Sequence, residues 1–453
     1  MFNHCVERLL NRSTQAMYSI RRFMSTPDVL DEQWFPSGAV TTSIKASDAS
    51  APVGFLAFDV TIPWDNLTMY WPTDGLPSVD ELRSWIQMDG KWGDFESIGN
   101  AKSLEWTSGP IGPVGLIDSG KKGIWRLELL PFDDDGHAFR LANHLGDNPY
   151  VAQGGVQFQG RDLLLLWRDL SPWPRADEVL SNLLVSDQLG EARLLVESCG
   201  RILGDFHSSV VESANPIRYA KPWNDRLKNL EEKSSASTLW RAPHSKETVG
   251  CLTHRNFSLN NIVVLNDASG EPNLDEVHLL HPASGPYGAL LPLNDRAPGL
   301  RDLASGYRSI EMNQRIHESG MCLELRRCLF DGWRSTAPPD WSSPQALDSH
   351  KGGVPIWEYE QALEESIFSE AFGLSIHPRT SWFLNHVGRI QAGMFRARTV
   401  AAGALTCLIV AGLGLYTGVT GLMSWNDSIP LVLCVIPVPI LRQLYRNLAP
   451  PPY

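Results

Sequence analysis

Thr253-His254-Arg255-Asn256-Phe257-Ser258-Leu259-Asn260-Asn261 runs directly into Ile262-Val263-Val264-Leu265. The first part is a polar stretch rich in amides. The second is a short apolar, β-branched run that reads as a strand. Its polar side chains differ in what they can do. His254 can carry a proton, whereas Asn256 and Asn261 have no basic lone pair and cannot act as general bases.

The stretch resembles the catalytic loop of the protein-kinase and aminoglycoside-phosphotransferase superfamily. There a His-x-Asp sequence is followed by an Asn and then by an apolar strand, and His254, Asn256 and Asn261 hold those places here. The resemblance implies that position 256 is the catalytic one, where the family's Asp takes the proton of the attacking hydroxyl. It also implies that Asn261 is a magnesium position. With an amide at 256, the resemblance argues for the fold more strongly than for the reaction.

Upstream, Ser103–Thr107 reads as a strand, followed by Gly109-Pro110-Ile111-Gly112-Pro113-Val114-Gly115. Gly109, Gly112 and Gly115 are the candidate nucleotide-binding glycines, because a glycine-rich turn can present backbone N–H groups to phosphate. An ordinary tight turn is the alternative, and Pro110 and Pro113 remove two donors. The resemblance places the family's phosphate-gripping lysine on the strand Ile124–Leu130, where this chain has Arg126, which keeps the charge but not the compact ammonium geometry. Ala142–Val151 suggests a helix and turn. Val156–Phe158 and Leu163–Trp167 form a hairpin around Gly160-Arg161, leading to a hinge at 168–172. Leu195, Cys199, Ile202, Leu203 and Phe206 recur at helical spacing, and His207 at the end of that helix reads as a packed structural histidine.

Downstream, Glu276–Leu280 leads to His281, where the resemblance implies an Asp for the second metal position. A neutral imidazole is a poor magnesium ligand. Asp302, in Leu300-Arg301-Asp302-Leu303-Ala304, resembles the residue by which the family braces its catalytic loop. Asp267, Asp275 and Glu276 are the carboxylates a metal would use in another register.

The C-terminal tail sets a second expectation. From Thr399 to Trp425 there is no charged residue, long enough at about 1.5 Å per residue to cross a hydrocarbon core of roughly 30 Å. A second uncharged run, Ser428–Leu441, gives only about 21 Å of helix and spans if Arg442 snorkels. Arg389, Arg396 and Arg398 precede the first run, Arg442 and Arg446 follow the second, and the connector has no basic residue. The positive-inside rule then puts both ends in the cytoplasm. Gly414 and Gly418 have the spacing that lets two helices approach closely. A buried helical pair of a soluble core is the alternative.

Composition narrows the rest. A formal charge of −12 over 453 residues disfavours a nucleic-acid-binding protein. Seven cysteines without a CxxC pair fit a reducing compartment and free thiols. Met1–Met24 carries Arg8, Arg12, Arg21 and Arg22 but no apolar core of a secretory signal; it reads as an amphipathic surface helix, with an organellar targeting segment as the alternative. The Trp-rich region before residue 100 holds a strand at Gly54–Ile62 and a helix capped at Ser78 with Glu81 in the capping box. Its tryptophans read as core, a ligand-stacking surface being the alternative.

The sequence therefore predicts an α+β, two-lobed kinase-like fold in four parts. These are a Trp/Pro-rich N-terminal extension (1–100), a small lobe (101–170), a mostly helical large lobe (171–395) and a transmembrane hairpin (396–453). The expected function is that of a membrane-anchored, catalytically inactive kinase-like binding or regulatory module. Its expected partners are membrane lipid and a protein or small-molecule ligand in the cleft; no cofactor is assigned, ATP being the candidate, with binding expected to be weak and magnesium-independent or absent because Asn256 and His281 leave too little negative charge for Mg²⁺. An active small-molecule phosphotransferase with atypical residues and a membrane-tethered module unrelated to kinases are the alternatives.

Overall fold

The computed structural model describes residues 29, 32–36 and 43–449, apart from 63–64, 121–122, 133–134, 147, 149–150, 170–172, 217–220, 235–239, 241–248, 281–287, 289, 292, 294–295, 344–346 and 348–352. The expected surface helix at Met1–Met24 and the candidate ligand His281 lie outside the described residues. The chain forms two compact units. One comprises Met1–Pro172, His281–Leu293 and Phe368–Ser375; the other comprises Trp173–Leu280, Asn294–Ile367 and Ile376–Tyr453.

The first unit contains two antiparallel sheets. Strands β1 (Ser43–Ala46), β2 (Phe55–Ile62) and β3 (Asp65–Pro72) pair in that order. After helix α1 (Val79–Trp85), the remaining strands are β4 (Lys91–Gly93), β5 (Ser103–Ser108), β6 (Pro113–Asp118), β7 (Ile124–Leu129), β8 (Gly154–Phe158) and β9 (Arg161–Arg168). They form a six-stranded sheet in the order β4-β8-β9-β7-β6-β5. One core joins the two sheets, since Phe55, Tyr70, Leu82, Trp85 and Phe95 pack with Ile117, Trp125, Leu127 and Leu164. The stretch expected as a separate extension thus shares its core with the strands that follow, and the larger sheet already begins at Lys91. The core reading of the tryptophans holds for Trp34 and Trp85, both buried. Trp34 stacks on Trp71 with centroids 5.6 Å apart.

Local chemistry sets two element boundaries here. The Ser78 N–H donates to the Glu81 carboxylate at 2.8 Å, which closes the first turn of α1. Between β8 and β9, Gln159 and Gly160 both have positive φ, 53° and 79°, the two-residue turn whose twist matches a hairpin. Helix α2 (His137–Leu145) starts five residues before the expected Ala142. The cause lies on another strand. The carboxylate of Asp162 on β9 accepts the N–H of Ala138 at 2.9 Å, supplying from a distance the cap that local sequence does not show.

The second unit is mostly helical. It contains α3 (Ala176–Val185), α4 (Leu189–Ser209), α5 (Lys221–Lys233), a small sheet of β10 (Asn215–Pro216), β11 (Val249–Cys251) and β14 (Ala297–Pro298), and a hairpin of β12 (Ile262–Asn266) and β13 (Pro272–Leu279). Helices α6 (Gly299–Met312), α7 (Ser319–Thr336) and α8 (Gly353–Ala371) follow. Leu195, Cys199, Leu203 and Phe206 of α4 are buried, as the helical spacing predicts.

An ionic layer inside this unit was not legible beforehand. Glu358, Glu360 and Glu364 of α8 are all buried. Arg301 of α6 binds both oxygens of Glu364 at 2.8 and 2.7 Å, and Arg226 of α5 reaches Glu360 at 2.6 Å. Arg326 of α7 pairs with Glu358 at 2.8 Å, and Arg308 of α6 with Glu365 at 2.9 Å. Buried pairs of this kind contribute little net stability, but removing one partner costs about 3–5 kcal/mol because the other charge is left stranded.

The tail forms one long and one interrupted helix. Helix α9 (Pro378–Val419) has 42 residues, about 63 Å of helix, so the apolar run is only its second half. Helices α10 (Trp425–Val432) and α11 (Pro437–Leu448) are joined by a 3₁₀ turn at Leu433–Val435. Together they extend Trp425–Leu448 over 24 residues, longer than the second run expected, because the helix continues beyond Arg442. Both segments are long and apolar enough to cross a membrane by length and composition. They pack antiparallel, and the glycine spacing has a visible use. A Cβ at Gly414 would stand 2.5 Å from the Leu431 Cβ, and one at Gly418 would stand 3.0 Å from the Trp425 ring.

Candidate functional site

The polar loop joins β11 to β12 and is held from four sides. Phe257 and Leu259 are buried anchors, and the Leu259 N–H donates to the Ser309 hydroxyl of α6 at 3.0 Å. Asn261 closes the loop on itself, its Nδ2 donating to the backbone oxygen of Asn256 at 2.8 Å. Its own carbonyl accepts the Leu280 N–H at 2.8 Å. His254 is fully buried, edge-on to Phe206, with Nε2 2.7 Å from the Leu280 carbonyl. A carbonyl only accepts, so Nε2 is the protonated nitrogen.

The fourth side is Asp302, at the start of α6. Its carboxylate accepts the N–H of His254 at 2.7 Å and that of Arg255 at 3.0 Å. Arg255 has φ 67°, a left-handed conformation that costs an L residue roughly 1–2 kcal/mol, and these two bonds hold the bend. Asp302 also takes a bond from His207 Nε2 at 3.2 Å. The indole N–H of Trp333 donates to His207 Nδ1 at 2.9 Å. Since indole can only donate, Nδ1 is the acceptor and Nε2 carries the proton given to Asp302. Burial alone would raise the Asp302 carboxyl, but His207 first and then His254 outweigh it and hold the group below the ordinary carboxylate range. Both sequence expectations for these residues agree with the structure: His207 is packed, and Asp302 braces the loop.

The brace is itself supported. Arg301, next to Asp302, is gripped by Glu364, and burial, which would lower its pKa, is outweighed by Glu364 and Glu360, which raise it. Sequence reasoning missed Arg301, Glu360 and Glu364. Their one signal was the acidic run of α8, where an acid on every face departs from the pattern of a helix with one solvated side.

Two of the three carboxylates of the alternative metal register are otherwise employed. Asp267 closes the β12–β13 turn, its Oδ1 accepting from Ser269 and Glu271 N–H groups at 2.8 and 3.1 Å. Asp275 pairs with Arg201 at 2.9 Å, and Glu276 is exposed on β13. Among the described residues no three His, Cys, Asp or Glu side chains gather as a metal site.

In the first unit, Gly109 and Gly112 form the turn between β5 and β6, while Gly115 lies within β6, paired with Trp106 and Leu127. The Gly109 N–H donates to the Gly112 carbonyl at 3.0 Å. A Cβ at Gly112 would fall 2.0 Å from the Leu129 carbonyl oxygen, so tight packing alone requires glycine there. Arg126 on β7 is half-buried, and its Nε donates to Glu128, two residues on along the same face, at 2.8 Å. A phosphate taken by Arg126 would compete with that bond.

The sequence matches no protein-family model and no curated protein. Among solved structures, the chain is similar to a glucosamine kinase at 11% identity and TM-score 0.49, over 81% of this chain and 95% of that one. A spectinomycin phosphotransferase in complex with ADP and spectinomycin matches at 13% identity and TM-score 0.31, over 65% and 90%. A choline kinase from Cryptosporidium parvum matches at 11% and 0.33, again over 65% and 90%. The reading of the site rests on the hydrogen bonds described above and not on these likenesses.

Proposed function

We propose that this chain is a membrane-anchored protein of kinase-like build that binds a ligand or partner without transferring phosphate. The observation that carries the proposal is the contrast between the loop's scaffold and its reacting position. Asp302, His207 and Asn261 hold the loop in full, yet the residue it presents at 256 is an amide. A general base at that place accepts a proton in the transition state, and Asn256 cannot.

The donor set gives the same answer for a magnesium nucleotide. Asn256 and Asn261 are both neutral, and magnesium is usually held by one or two carboxylates together with substrate phosphates. These residues do not fit that group. The two apolar helices of the tail support the anchoring half of the proposal, and their flanking arginines support a cytoplasmic position for both ends.

The test is turnover of ATP by the full chain in detergent with magnesium, beside the variant Asn261→Ala. The proposal expects none above background from either. Turnover by the parent that the variant loses would overturn it.

A further inference from the structure

Four of the five arginines that flank the hairpin converge. A Cβ at Gly414 would touch Leu431, and one at Gly403 would lie 3.9 Å from Leu441 Cδ1, which sets the antiparallel register of α9 against α10–α11. Continuing that register five residues along each helix brings Arg398 level with Arg446. Arg396 lies half a turn further along α9 and Arg442 one turn back along α11, so all four occupy one end of the hairpin. Arg396, Arg442 and Arg446 are exposed, and so is the ring of Phe395 beside them, at 65%.

Among the described residues, no acid answers their charge. From Ala371 to Tyr453 the sequence holds a single acid, Asp427, at the opposite end of the hairpin. Among the described residues none of these four arginines makes an ion pair, whereas Arg201, Arg226, Arg301, Arg308 and Arg326 all do. Arg398 also has a buried Nε with no hydrogen-bond partner among the described residues. Four guanidinium groups at the edge of two apolar helices call for an anion at the depth of a lipid headgroup, and guanidinium matches phosphate with two parallel N–H···O bonds.

We propose that Arg396, Arg398, Arg442 and Arg446 form a collar that binds anionic phospholipid headgroups in the leaflet on that side. The proposal rests on the anchoring reading above and adds the lipid class and the residues that select it. The collar accounts for four arginines that have no ion pair among the described residues, in a chain whose formal charge is −12, since a solvated net-negative body would otherwise be repelled from an acidic leaflet.

The test uses the full-length protein. Membranes carrying it are first extracted with alkaline carbonate. The purified chain is then given equal amounts of phosphatidylglycerol and phosphatidylcholine of the same acyl length, and retained lipid is read by native mass spectrometry. The proposal expects resistance to carbonate, retention of phosphatidylglycerol over phosphatidylcholine, and weakening of that preference by salt. In the variant Arg396→Gln, Arg398→Gln, Arg442→Gln, Arg446→Gln the preference falls by on the order of fivefold per arginine replaced, with carbonate resistance unchanged. A carbonate-resistant parent that retains both lipids equally, or a salt-independent preference, overturns the collar alone. Release of the parent by carbonate overturns the anchoring and the collar with it.

Discussion

The carboxylate of Asp302 accepts the backbone N–H of His254 at 2.7 Å and so ties the start of α6 to the loop that presents Asn256. Three hydrogen bonds meet at this one buried side chain. Asp302→Asn keeps the shape but turns one acceptor oxygen into a donor facing N–H groups. We predict a loss of about 3 kcal/mol in local stability, read as faster hydrogen exchange of the His254 and Arg255 amides. Unchanged protection at both amides would contradict the bracing role.

The same group fixes a pH dependence. Its carboxyl is held below the ordinary range when folded, so its contribution is present above the unfolded carboxylate pKa of about 3.9 and is lost as pH falls through the lower, folded value. Protection of the His254 amide should therefore stay level from neutral pH to about pH 4, and decline only below it. A decline centred near pH 6 would point to a histidine instead.

Parts of this were legible in the sequence. The polar loop followed by Ile262–Leu265 announced a strand, and the spacing of Leu195, Cys199 and Leu203 announced a buried helix face, because both signals are local and periodic. The bracing role of Asp302 was legible only through the resemblance. Arg301, Glu360 and Glu364 were not legible, since a glutamate that is buried reads the same as one that is solvated until its arginine arrives from another helix. The start of α2 was hidden for a similar reason: its cap, Asp162, comes from a strand formed later in the chain.

The hairpin gives a prediction of topology. Reporters fused before Met1 and after Tyr453 should both report the cytoplasm, and one inserted between Gly421 and Ser424 the opposite side. Gly414→Leu should separate the helices, because the added side chain has no room beside Leu431. The check is a Thr417→Cys, Ser428→Cys crosslink, at positions whose hydroxyls stand 3.5 Å apart. It should form in the otherwise unaltered chain and fail once Gly414→Leu is added. A C-terminal reporter on the far side would show that only α9 spans.

In the function proposed above, the loop keeps its scaffold without the charge that phosphoryl transfer needs. Calorimetry of ATP binding to the full chain in detergent, with and without magnesium, decides between that proposal and an active phosphotransferase. Weak binding or none is expected, no stronger when magnesium is present. Tight binding that requires magnesium would contradict it.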